Sequence, residues 1–157
     1  MGDFIKAFGK ITIYAAIIVT SSLSEAGNNI ASQILFGPSH KQLVAKAAAE
    51  LNKQLPKMID REARLDSVVA RADGGLFTYN YTLVNYNANS ISAAALISIE
   101  DAVVNTTCSE QNSNLLKKNV ALEFRYRSAD GYLVKAFTIP PKSCIYDLQT
   151  NRYELAK

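Results

Sequence analysis

The sequence predicts an α+β domain: a four-stranded, mainly antiparallel sheet of two hairpins, with helices packed on one face, in the order α-β-β-α-β-β. Three observations carry this expectation. Alternating runs flank Asp73-Gly74 and Asp130-Gly131, dipeptides that type I′ hairpin turns prefer because both central residues need positive φ. Apolar residues at helical spacing precede each hairpin. The only two cysteines, Cys108 and Cys144, bracket the second hairpin.

At 157 residues the chain fits one domain with a short extension, large enough to bury a real core. A 48% apolar and 20% charged composition is that of a globular chain, not a disordered one. The net charge of +3 is mild and no basic run exceeds Lys117-Lys118. This argues against nucleic acid or a membrane surface as the partner.

Residues 1–24 read as an export signal. Lys6 and Lys10 give a positive start, Ile11–Thr20 an apolar core, and Ser22-Leu23-Ser24 a small-x-small cleavage pattern. The segment is either a cleaved signal peptide or an uncleaved membrane anchor, with Phe4–Leu23 crossing. Both readings place the domain outside the cytoplasm. No cysteine follows the apolar core to take a lipoprotein anchor. Residues 25–38 form a connector, made sticky by Ile30, Ile34, Leu35 and Phe36.

Ser39 with Gln42 gives a capping-box pattern, and Leu43, Val44, Ala47, Leu51, Leu55 and Met58 follow at helical spacing. Pro56 is expected to end or kink this helix near Leu55. The first hairpin spans Leu65–Ala72 and Leu76–Asn85. Phe77, Tyr79, Tyr81 and Leu83 point one way, toward the core, and Thr78, Asn80 and Thr82 the other. A second helix, Ser90–Thr107, is capped by Asn89 or Ser90, with Ala95, Ile99, Ala102 and Val103 inside. Ser109–Lys118 suits one more short helix, ended by Asn119 in the left-handed C′ position.

The second hairpin pairs Val120–Arg127 with Tyr132–Ile139. With Asp130 and Gly131 as turn residues, Ala129 faces Tyr132, Phe124 faces Phe137 and Leu122 faces Ile139. Glu123, Arg125 and Arg127 then share the opposite face, with Asn80 and Thr82 as neighbours. Residues 39–144 thus make the domain and 145–157 a tail, which can add an edge strand, dock as a helix or stay loose.

The cysteine separation fits no zinc spacing. A disulfide or two unrelated buried thiols remain, and the export signal favours the disulfide, a closure worth roughly 3–4 kcal/mol in the chain-entropy model. His40 is the only histidine and sits at a helix start, where a solvated role is the common one. Asp60, Glu62, Asp66, Glu100 and Asp101 fall at helix ends, turns or surface positions rather than as a paired acid and base. No glycine-rich phosphate loop or calcium loop is present. The matches to the N-glycosylation sequon at Asn80 and Asn105 are short enough to arise by chance. The expectation is no catalytic residue, no metal, no cofactor and no enzyme.

Cys108 closing a helix, the pair Leu115-Leu116, then Tyr126, Gly131 and Cys144 form a pattern over residues 40–144 that resembles the small periplasmic pilotins of type II secretion, the AspS kind. The preceding hairpin with Tyr79 and Tyr81 is compatible with it. The resemblance implies an α/β domain with a disulfide that binds the C-terminal segment of an outer-membrane secretin. The lipidated cysteine by which those pilotins escort their partner has no counterpart here.

The function expected is a non-catalytic, exported protein-binding module of the bacterial cell envelope, an accessory of a secretion or pilus machine. It would work in the periplasm or on the periplasmic face of the inner membrane, touching the membrane only through the N-terminal segment. Its partner would be a segment of an envelope protein. Arg125, Arg127 and Tyr86 are the partner-binding candidates. One alternative is a small secreted or anchored inhibitor or immunity-type protein, which would present a protruding loop at Tyr86–Asn89 or Pro140–Ser143. Another is a structural subunit of a membrane complex.

Overall fold

A computed structural model describes residues 39–109 and 114–156. The signal or anchor of 1–24 and the connector of 25–38 lie outside the described residues. In chain order the elements are α1 (His40–Asn52), β1 (Lys57–Met58), β2 (Ala63–Ala70), β3 (Leu76–Leu83), a 3₁₀ turn (Ala88–Ser90), α2 (Ala93–Cys108), α3 (Asn114–Lys117), β4 (Ala121–Ser128), β5 (Leu133–Ile139), β6 (Cys144–Asp147) and β7 (Arg152–Leu155). The α+β class holds, but the four-stranded expectation is corrected. The main sheet has five strands in the order β1-β2-β3-β4-β5, and β6 and β7 form a second, two-stranded sheet.

The capping box starts α1 as expected. The Ser39 backbone N–H donates to Gln42 Oε1 at 2.7 Å, and the Gln42 N–H donates to Ser39 Oγ at 3.4 Å. Val44, Ala48 and Leu51 form its buried stripe. The helix stops at Asn52, before Leu55, because the Asn52 side chain is used by β2. Its Nδ2 donates to the Val68 carbonyl at 2.8 Å, and its Oδ1 accepts from the Val68 N–H at 2.9 Å. Met58 therefore leaves the helix for β1, where it is exposed. Asp60 turns the chain back toward β2 by accepting from the N–H groups of Glu62 and Ala63 at 2.6 and 2.9 Å.

Neither hairpin has the type I′ turn. In these two turns the glycine takes positive φ, Gly74 at 75° and Gly131 at 88°, and the aspartate before it does not. The aspartates instead accept hydrogen bonds from nearby backbone N–H groups, Asp73 from Gly75 at 2.8 Å and Asp130 from Ala88 at 3.0 Å. Gly74 also lies against the start of α1, where a Cβ would meet Lys41 Cα at 2.9 Å.

In the second hairpin, Ser128 and Tyr132 close a three-residue loop, so Ala129 lies in the turn and does not face Tyr132. The extra residue is absorbed by an irregularity between Tyr126 and Arg127, after which Phe124 faces Phe137 and Leu122 faces Ile139. The expected pairing of the hairpin body is therefore observed.

The two hairpins meet through β3 and β4, which run parallel from Leu76↔Ala121 to Leu83↔Ser128. A parallel pair requires a long crossover, and the segment containing α2 supplies it. That helix starts later than expected, at Ala93, with Ser92 Oγ accepting from the Ala95 N–H at 3.2 Å. Ser90 belongs instead to the preceding 3₁₀ turn. Ala95, Ile99, Val103, Val104, Thr107 and Cys108 are buried along α2. After α3, Asn119 takes φ 66°, and the N–H groups of Asn119 and Val120 close onto Leu116 and Leu115.

Parallel pairing brings the aromatic rows of both hairpins into one stack. Ring centroids are 5.2 Å apart for Tyr79–Phe124, 4.9 Å for Tyr81–Tyr126 and 5.4 Å for Phe124–Phe137. Offset ring pairs at such distances add about 0.5–1.5 kcal/mol each beyond the area they bury.

Burial pushes the phenols of Tyr79, Tyr81 and Tyr126 above their ordinary value. The fold thus favours the neutral, protonated form of each. The stabilisation is complete below the unfolded pKa of about 10 and is lost as pH rises through the higher folded values. Three such groups give a slope of about 4 kcal/mol per pH unit. Cooperative alkaline unfolding is expected, with the buried phenols ionising as structure is lost. Ultraviolet absorbance and circular dichroism followed in one titration check this. Ionisation of all 8 tyrosines before any loss of structure would contradict it.

Candidate functional site

Alternation along β4 sends Leu122, Phe124, Tyr126 and Ser128 into the core and Glu123, Arg125 and Arg127 to the other face. The parallel register sets Thr78 beside Glu123, Asn80 beside Arg125 and Thr82 beside Arg127. One polar face therefore runs across β2, β3 and β4. Thr78 Oγ1 donates to Glu123 Oε2 at 2.9 Å, and Asn80 Nδ2 donates to Ser67 Oγ at 3.2 Å. Asp66 accepts from both Thr82 Oγ1 and Arg64 Nε.

The two arginines differ. Arg127 is exposed and its Nη1 donates to the Gly131 carbonyl at 3.0 Å, across the hairpin turn. Arg125 is half-buried, and its Nε is buried without a hydrogen-bond partner.

Tyr86 does not join the arginine row. It is half-buried against the core, at the end of the sheet where its carbonyl accepts from the Ala129 N–H at 2.8 Å. Partial burial, with the Glu62 carboxylate bonded to its hydroxyl, raises its pKa. Of the three partner-binding candidates, the fold brings two together on one face and holds the third at that sheet's end.

The two loops named as blocking candidates are tied down. Ala88 is bonded to Asp130, and Ser90 closes back onto Asn87. Ser143 donates from Oγ to the Pro140 carbonyl at 2.7 Å and is 8% exposed. Nor is the aromatic inner face an open channel: Phe77, Tyr79, Tyr81 and Tyr126 are each at most 2% exposed.

Cys108 and Cys144 form the disulfide, with Cα atoms 5.5 Å apart. It joins the end of α2 to the start of β6 and so ties the tail to the body. The tail is a hairpin of its own, not an added edge strand or a helix. Asp147 accepts from the Gln149 N–H and from Thr150 Oγ1 within its turn, and those bonds lower its pKa. The Tyr153 N–H donates to Asn105 Oδ1 of α2 at 3.0 Å.

Sequence reasoning missed two features here. One is a cleft of about 550 Å³ between α2 and β7, bordered by Glu100, Asp101, Val104, Arg152 and Tyr153. The other is the exposed apolar set Ile145, Tyr146 and Leu148. Both depend on how the tail folds, and its mixed composition carries no clear period. Among the described residues no cluster of three metal-ligand side chains occurs, and no helix is long and apolar enough to cross a membrane.

No family model and no curated protein matches the sequence. Solved structures do match. The type II secretion system pilotin AspS from Vibrio cholerae superposes with a TM-score of 0.53 at 15% identity, over 67% of this chain and 92% of that one. The chain shares the pilotin fold. EpsS, a pilotin from the Vibrio vulnificus type 2 secretion system, gives 0.52 at 11% identity, over 65% of this chain and 88% of its own. A candidate secreted protein of Pseudomonas aeruginosa gives 0.51 at 12% identity, over 66% and 95%. The fold resemblance expected from Cys108, Tyr126, Gly131 and Cys144 is thus found in three dimensions, while the identities confine it to the fold.

Proposed function

We propose that this chain is a non-catalytic protein-binding module of the bacterial envelope, exported and serving as an accessory to a secretion machine. The observation that carries the reading is the pilotin fold, which extends over 92% of AspS. The polar sheet face gives it a surface. Arg125 and Arg127 both face it, the first half-buried and the second exposed. The loop-borne inhibitor reading is less favoured because both candidate loops are hydrogen-bonded to other segments, Ala88 to Asp130 and the Ser143 carbonyl to the Ala156 N–H. The partner is a segment of an envelope protein, following the role that the sequence resemblance implies.

Affinity capture with the full chain from envelope extracts of its own host tests this reading. A secretion-machine component retained by the wild type and reduced in an Arg125→Ala, Arg127→Ala double variant is the expected result. Capture of none, or equal capture by both proteins, overturns the reading.

A further inference from the structure

The two edges of the main sheet are unlike. β1 is two residues long and follows Pro56, so it offers almost no backbone to a visitor. β5 is a seven-residue edge, Leu133–Ile139, with no proline inside it. Its one charge, Lys135, lies opposite Tyr126 on the core side and is paired with Glu100 of α2. On the other face its exposed residues are Leu133, Ala136 and Thr138, none of them charged. Lys135 on the core side and the irregularity beside Arg127 guard its first half, whereas from Ala136 to Ile139 no charge, proline or bulge interrupts it.

Behind Ala136, in register on β4, is Arg125. Its buried Nε has no partner, and its guanidinium forms no ion pair among the described residues. The carboxylate two positions away, Glu123, already accepts from Thr78. A strand added beyond β5 would lie two strand spacings from β4, roughly 10 Å. An arginine and a glutamate can span that distance together when the residue between them is alanine. A small residue at 136 and an unpaired cation at 125 therefore complement an acidic side chain on the incoming strand.

We propose that β5 is a strand-addition edge, where an extended segment of a partner protein pairs along Leu133–Ile139 and places a carboxylate opposite Ala136, held by Arg125. This rests on the protein-binding reading above and specifies its partner as an extended, acidic segment.

The test uses the full chain and two labelled nine-residue peptides of alternating threonine and valine, one with a central glutamate and one with a central lysine. Fluorescence anisotropy at low salt gives affinities, and backbone amide NMR locates the contact. The glutamate peptide is expected to bind about tenfold more tightly than the lysine peptide, with shifts along Leu133–Ile139. Arg125→Gln should erase that preference and Arg125→Glu should reverse it, with circular dichroism confirming that each variant is folded. Equal affinities in the wild type, no binding of either peptide, or shifts away from β5 would overturn the proposal. If an envelope partner is captured by the chain while these peptides fail, the binding reading stands and the strand-addition edge does not.

Discussion

Replacing Phe124 by alanine is expected to lower the unfolding free energy by about 3–5 kcal/mol, the cost of truncating a large buried aromatic in a close-packed core. Phe124 is 6% exposed and sits mid-sheet, with Tyr79 at 5.2 Å on one side and Phe137 at 5.4 Å on the other. Its removal strips ring contacts from β3 and β5 at once and leaves a hole that the flanking rings cannot both fill. Domains of this size are stable by about 5–15 kcal/mol, so the loss takes a large part of the total. Urea unfolding followed by circular dichroism measures it. Phe124→Leu should cost clearly less. A loss below about 1 kcal/mol for alanine would mean that the aromatic stack does not hold the parallel β3–β4 junction.

The second large effect belongs to the disulfide. Cys108 and Cys144 close a loop with a sequence separation of 36, and Cys108 is 4% exposed at the end of α2. In the chain-entropy model, opening that loop by the double substitution Cys108→Ser, Cys144→Ser costs about 4 kcal/mol. For a chain of this length that is a fall in melting temperature of about 10 °C. The β6–β7 hairpin should respond first. Besides the disulfide, it is held to α2 by the Tyr153–Asn105 bond and the packing around it. Calorimetry of the oxidised and reduced wild type, beside the double variant, checks the magnitude. Hydrogen exchange at Cys144–Leu155 checks the order of events. Equal melting temperatures would show that the tail is held by packing alone.

The parts of this fold legible in the sequence are those set by strong local rules. Alternation in β3, β4 and β5 gave the two faces, since a one-residue slip would have turned Phe124 outward and Arg125 inward. The capping box at Ser39 and the left-handed Asn119 were readable because each is a local matter: Ser39 and Gln42 bond each other's backbone, and asparagine tolerates the positive φ that ends a helix. What failed depends on partners distant in sequence. Asn52 ends α1 early because Val68 of β2 offers it two backbone groups, and that pairing leaves no mark on the helical pattern. The turn types were misjudged because Asp73 and Asp130 found backbone N–H groups to bind at ordinary φ. The parallel junction was invisible to reasoning by hairpins, although its consequence, Arg125 beside Asn80 and Arg127 beside Thr82, matches the neighbours expected from alternation. The unpaired state of Arg125 could not be read from composition at all, because it follows from which carboxylates the fold has already engaged.

The central claim is that the polar face and edge around β4 and β5 bind an envelope protein. Site-specific photo-crosslinking in the host tests it most directly, with the full chain carrying the photoreactive residue at Thr138, exposed on β5 beside that face, or at Lys53 beyond α1 as a control. A discrete adduct from position 138 is expected in the envelope fraction, containing a secretion-machine component and absent from position 53. No adduct from position 138, or the same adducts from both positions, would contradict it.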